Sequence, residues 1–168
     1  MVVKSGTTLE PLIMGGGQER DRRSGTSNVA GIVSTAAALR ATSSEREHEV
    51  RRVGALKSRL VSAVRDRVAD VMETVSPERS VPGVAHLCIA DVESEALLFL
   101  LDQDGVCASA ASACASGAME PSHVLRAMGV EPHYAKGALR LSLGHTTTSD
   151  DVDAAVESIV RSVSRLRR

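Results

Sequence analysis

At 168 residues, with 43% hydrophobic and 24% charged side chains, the chain has the make-up of an ordinary globular protein with one good core. Phe99 and Tyr134 are its only aromatics, which excludes the stacking platforms of single-stranded nucleic-acid binding, and a formal charge of -1 leaves no basic footprint for a duplex. No apolar run approaches the roughly 18 residues of a membrane span, the start MVVKSGTTLE lacks a secretory apolar segment, and Cys88, Cys107 and Cys114 show no CxxC spacing, so the expectation is a cytoplasmic protein with no membrane partner, no nucleic acid and no metal site.

In chain order, MVV reads as a strand-like scrap, KSGTT as a turn and LEPLIM as a second short strand. A domain that opens on half a hairpin is expected to start inside a larger architecture. GGGQERDRRSGT, Gly15 to Thr26, leads a glycine triplet into clustered charge, and Thr26 or Ser27 is the expected helix N-cap. Val29, Ile32, Val33, Ala36 and Leu39 follow at helical spacing and predict a helix. Ser44 with Glu47 has the pattern of a capping box opening a second helix to about Asp70. Its predicted stripe is Val50, Val53, Leu56, Leu60 and Val64, with Lys57 and the neighbouring arginines largely outside it.

Short strands are predicted at Val71–Val75 and Val84–Ala90, then a helix over Glu95–Leu101. Asp104–Gly105 turns the chain into a strand at Val106–Cys107. Pro121 opens a short helix through Met128 that Gly129 stops. Ala138–Leu143 alternates as a strand, and Thr148 with Asp151 caps a last helix that carries Val152, Val156, Ile159, Val163 and Leu166 on one face. This order predicts a small α/β layer structure of the α+β kind, with helices packed on a short sheet.

The chemistry concentrates in two places. ASAASACASG, Ala108 to Gly117, cannot fill a core and reads as a mobile loop. Its Cys114 is either a reactive thiol or an incidental small residue, whereas Cys88 and Cys107, in apolar strands, are expected in the core and inert. His123 and His133 read as surface or packing residues rather than bases. The second place is Arg22, Arg23, Ser24, Gly25 and Thr26, just before a helix N-terminus. Free N–H groups there favour an anion such as phosphate, although an ordinary solvated loop with a good cap fits the same residues.

GGGQERDRRSGT, the SAC of the small-residue stretch, EPSHVLRAMGV and GALRLSLGHTTT together resemble the C-terminal half of the pyridoxal-phosphate-dependent cysteine desulfurases, class V aminotransferases with the type I fold. Each motif alone is weak; four in order over essentially the whole chain are specific. The resemblance implies that residues 1–42 are the end of a large cofactor-binding domain and residues 43–168 a small domain. It implies sulfur transfer from L-cysteine to a cysteine persulfide with release of alanine, for iron–sulfur assembly or thiolation. Cys114 matches the family's nucleophile and is also a candidate transient iron–sulfur ligand. Arg140 matches the arginine that grips the substrate carboxylate, and Thr26 the residue that reaches the cofactor phosphate of the partner subunit. A homodimer and a sulfur-acceptor or scaffold protein are the implied partners.

Two departures accompany the match. The family's cofactor lysine belongs to a motif upstream of KSGTT, and neither Lys4 nor Lys136 matches it, so these residues alone are expected to be inactive. Ala111 stands where glycine is common. A non-catalytic remnant, or a persulfide-relay or binding module, are the alternatives. Leu12–Met14 is expected to expose apolar surface.

Overall fold

The computed structural model describes residues 3–110 and 122–168, and divides into two compact units, Met1–Glu45 and Arg46–Arg168.

The second unit is built on a sheet of three antiparallel strands, β1 (Val71–Glu73), β2 (Val84–Ile89) and β3 (Ala138–Ser142), in the order β1-β2-β3. Strand alternation sorts their side chains. Ala85, Leu87 and Ile89 of β2 and Leu139 and Leu141 of β3 point to one face, where they are buried. The C-terminal half of helix α2 (Val29–Arg67), α3 (Ser94–Gln103) and α6 (Ser149–Leu166) supply Leu60, Val64, Leu97, Leu101, Val156 and Ile159 to the same core. A side chain such as Ile159, fully buried, contributes about 1.5–3 kcal/mol. The opposite face is covered only in part. Cys88 and Ala138 pack there with Leu125 of α4 (His123–Ala127) and Ala135 of α5 (Pro132–Ala135).

Local signals explain the boundaries. Thr148 and Asp151 form the predicted capping box: the Asp151 amide donates to Thr148 Oγ1 at 3.2 Å and the Thr148 amide to Asp151 Oδ2 at 2.8 Å. Gly129, at φ +75°, ends α4's segment as expected. Gly137 precedes β3 because a side-chain carbon there would collide with the Ile89 carbonyl. The predicted strand at Val106–Cys107 is absent; in its place Ser109 makes a single antiparallel bridge to Arg140. Cys107 is consequently exposed, not core. The four-residue helix α5 was not foreseen.

The first unit differs from its expected form. The turn after Lys4 is present, closed by Thr7 N–H to Lys4 O at 3.2 Å, but LEPLIM forms no strand. Gln18–Asp21 is a single helical turn (α1) in which Glu19, Arg20 and Asp21 are left-handed, at φ 54°, 57° and 59°. Non-glycine residues take that conformation at a cost of about 1–2 kcal/mol each. The N-cap of α2 is Asn28, whose Oδ1 accepts from Gly31 N–H at 3.0 Å, rather than Thr26 or Ser27. No second helix begins at Ser44: its hydroxyl donates to Ala41 O within one continuous helix. Val29, Ile32, Val33 and Leu39, which keep the helical spacing, are all more than half exposed. Leu12, Ile13 and Met14 are exposed, as expected, Leu12 at 99%.

Candidate active site

Arg140 sits at the centre of β3, between Leu139 and Leu141, which enter the core. Alternation therefore puts Arg140 on the opposite, less covered face, and it is exposed. Its backbone is held from both sides. His86 is its register partner on β2, and on the other edge Arg140 N–H donates to Ser109 O at 2.7 Å while Ser109 N–H donates to Arg140 O at 3.0 Å. Among the described residues no carboxylate pairs with the Arg140 guanidinium. A fixed backbone and an unpaired planar cation suit bidentate binding of a carboxylate.

Ser109 lies five residues before Cys114, which is outside the described residues, as is Ala111. The structure describes the chain up to Ala110 and again from Ser122, whose side chain accepts from Val124 N–H at the start of α4. The other two thiols can be compared. Cys88 is fully buried, and burial pushes its thiol up to about 11, which suppresses the nucleophilic thiolate. Cys107 is exposed. His123 and His133 are exposed as well, and His133 Nδ1 lies 3.3 Å from Glu131. No group of three or more His, Cys, Asp or Glu residues among those described is arranged to hold a metal ion.

In the first unit, the segment around Thr26 is organised by its own side chains. Arg23 Nη1 donates to the carbonyls of Thr26 at 2.7 Å and Gly25 at 3.2 Å. Arg22 donates to Thr7 O, Gln18 Oε1 accepts from Gly25 N–H, and the buried Ser24 hydroxyl donates to Gly16 O. Thr26 is exposed, and its hydroxyl has no partner among the described residues. A hydroxyl free to donate, with Arg23 folded against the same residue, fits an oxyanion such as a phosphate group.

Three polar groups of the second unit escaped the sequence reading. Lys57 is buried, with its ammonium on the Ser80 hydroxyl and 3.6 Å from Glu73 Oε1. The signal was present: Lys57 continues the spacing of Val53 and Leu60, and a lysine stem can lie in apolar surroundings with its head at a polar edge. Arg52 crosses to the carbonyls of Gly144, His145 and Thr147 while paired with Glu49 at 2.9 Å. His86 lines a cleft of about 200 Å³ with Lys57, Glu73, Ser80 and Val84. Burial, and secondarily the Arg140 charge, hold its imidazole below the usual value of 6.5.

Known proteins resemble this chain in sequence and in fold. The aminotransferase class-V family model matches residues 6–155. An IscS-like cysteine desulfurase of Mycobacterium tuberculosis is 43% identical over all of this chain and 43% of its own length. The cysteine desulfurase NifS of Azotobacter vinelandii is 37% identical over 99% of this chain and 42% of its own. Among solved structures, a NifS-like protein superposes with a TM-score of 0.80 at 32% identity, covering 97% of this chain and 41% of that one. The NifS-like protein of Rickettsia africae gives 0.75 at 27% identity, over 94% and 41%. The chain thus spans about two fifths of the length of the relatives it matches.

Proposed function

The chain belongs to the aminotransferase class-V family, and from that premise we propose that it is the part of a cysteine desulfurase that carries the persulfide-forming thiol and the substrate-binding arginine. The observation that carries the reading is the backbone pairing of Arg140 with Ser109. It ties the residue matched to carboxylate binding to the segment that leads, five residues on, to the residue matched to the nucleophile. Similarity to relatives named cysteine desulfurases supports the reaction, and the guanidinium of Arg140, which meets no carboxylate among the described residues, supports L-cysteine, an amino acid with a carboxylate to grip, as substrate. The division of the chain at Glu45 and Arg46 supports assigning residues 1–42 to the end of a cofactor-binding domain and residues 43–168 to a small domain.

In this reading Arg140 binds the carboxylate of L-cysteine through two parallel N–H···O bonds and so fixes the sulfur's direction. The Cys114 thiolate attacks that sulfur. A sulfur–sulfur bond forms, the substrate's carbon–sulfur bond breaks, and its electron pair leaves with the three-carbon part, which takes up a proton to become alanine. In sum, cysteine and a thiol give alanine and a persulfide. Pyridoxal phosphate, when bound, supplies the electron sink for that bond cleavage. Thr26 and the neighbouring amide groups would hold the phosphate of the partner subunit's cofactor, as a hydroxyl without a partner among the described residues and the adjacent Arg23 allow. A sulfur acceptor then removes the outer sulfur of Cys114, and homodimerisation brings Thr26 to the partner's cofactor.

Neither Lys4 nor Lys136 matches the family's cofactor lysine, so the test reads the thiol itself and not turnover. Treated with a small-molecule persulfide donor and mapped by mass spectrometry, Cys114 should take up sulfur faster than Cys88 and Cys107. Burial withholds Cys88, so the informative competitor is the exposed Cys107. Equal labelling of Cys107 and Cys114 would remove the special role given to Cys114.

A further inference from the structure

The cleft of about 200 Å³ beside Lys57 combines a buried ammonium, an exposed guanidinium and three valines. Its lining comes from α2, which gives Lys57, and from the β1–β2 hairpin, which gives the rest. The hairpin's connection contains the helical turn Pro77–Arg79, opened by a proline that suits a first turn, and it returns the Ser80 hydroxyl to the Lys57 ammonium.

The polar groups of the lining are unevenly matched. Lys57 is 6% exposed, and its ammonium has three hydrogens to donate. Ser80 Oγ accepts one, while Glu73 Oε1, at 3.6 Å, balances the charge from beyond hydrogen-bond distance. The ammonium therefore keeps hydrogens with no acceptor among the described residues. Arg79 is exposed, and its guanidinium pairs with no carboxylate among the described residues. Lys57 and Glu73 cancel, so Arg79 leaves the lining with one positive charge in excess. His86, whose Nδ1 lies 2.8 Å from Thr74 Oγ1, adds no negative charge in either protonation state. Val75, Val81 and Val84 complete the lining, and Val81 is 63% exposed, an apolar side chain that an occupant would cover.

We propose that this cleft binds a small monocarboxylate that carries no amino group. Its carboxylate accepts hydrogens from Lys57 and Arg79, and an aliphatic body of a few carbons packs on the valines. One excess cation calls for one negative charge, since an anion taken out of water must be paired. The valines favour carbon over the further oxygens of a phosphate or sulfate. Glu73, the one carboxylate on the lining, is already engaged by Lys57, so the ammonium of an amino acid would find no partner. The volume falls below the roughly 300–1,000 Å³ of sites for drug-sized ligands, which limits the body to a few carbons. Arg140 is not on the lining, so the site is distinct from the one proposed for L-cysteine and does not rest on it.

Isobutyrate, isobutyramide and L-alanine, titrated separately into the whole chain at pH 7.5 and followed by amide and lysine side-chain NMR, test the assignment. Isobutyrate should move the Ser80, Val81 and Val84 amides and the Lys57 side chain along one saturable curve. Isobutyramide, of the same shape without the charge, and L-alanine should leave them in place. Arg79→Gln, at an exposed position, should weaken isobutyrate roughly tenfold, the factor of one charge-assisted hydrogen bond. Arg140→Gln should leave the isobutyrate curve at the cleft unaltered, whatever it does to L-cysteine. Shifts that never saturate, or a curve indifferent to Arg79→Gln, would overturn the site. Isobutyramide or L-alanine binding as well as isobutyrate would overturn the ligand class. A curve lost in Arg140→Gln would transfer the ligand to Arg140 and likewise end the proposal.

Discussion

The two halves of helix α2 carry the same kind of apolar pattern and meet opposite fates. In the first unit, Val29, Ile32, Val33 and Leu39 follow helical spacing and lie in solvent; Leu39 is 65% exposed. In the second, Val53, Leu60 and Val64 follow the same spacing, and Val64 is 0% exposed beneath the sheet and α6. Periodicity states which face of a helix wants cover. It does not state where the cover is. Among its described residues the first unit buries only Ser24, so its helix rests on propensity and local bonds, whereas the second unit has a core that holds its elements in place.

The largest effects should follow that contrast. Leu97→Ala empties a fully buried site in α3 and should cost about 2–5 kcal/mol of unfolding free energy. Leu39→Ala, of the same chemistry in α2, should change it by less than about 0.5 kcal/mol. Denaturant titration of both variants measures the difference, and amide exchange of Val29–Ser44 should be faster than that of α6. Comparable losses for both substitutions would mean that the exposed stripe is covered in solution.

Where the second unit covers polar groups, it must also pair them. Glu73→Gln would leave the Lys57 ammonium buried beside a neutral partner and should cost about 3 kcal/mol. Lys57→Met with Glu73→Gln removes both charges and should recover most of that loss, since the methionine keeps the stem's packing. Glu19→Gln in the first unit, where Glu19 and Ser27 meet at 3.4 Å in solvent, should be silent within about 0.5 kcal/mol. A Glu73→Gln variant as stable as the parent would show that the cleft admits enough water to solvate Lys57, and the contrast between the units would narrow.

Much of the second unit was legible in the sequence because its signals are local. The Thr148–Asp151 box, the alternation around Arg140 and the Gly129 stop all act within a few residues. What stayed hidden is set by partners distant along the chain. Lys57 looked solvated because its acceptors, Glu73 and Ser80, come from another element. Cys107 looked buried because an apolar pair suggested a strand, yet the chain pairs two residues later at Ser109. The Thr74–His86–Arg140–Ser109 row exists only through strand register, which no spacing in the sequence encodes. Arg140 and Thr26 themselves were singled out by motif; their surroundings came from the fold.

The smallest expected effect is a pH dependence confined to one unit. His86 is held below its ordinary value of 6.5, first by burial and then by Arg140, so the folded chain resists a proton that the unfolded chain accepts. The stability tied to its neutral form is complete above 6.5 and is lost as pH falls through the lower folded value. Denaturation midpoints measured from pH 7.5 to 5 should therefore decline, and the decline should be shallower in His86→Gln. Residues 1–45 contain no histidine, so amide shifts there should stay flat in the upper part of that range while those of β2 and β3 move. Parallel declines in the parent and His86→Gln would place the acid sensitivity elsewhere. They would also mean that His86 sits in a wetter site than its position between Thr74 and Arg140 implies.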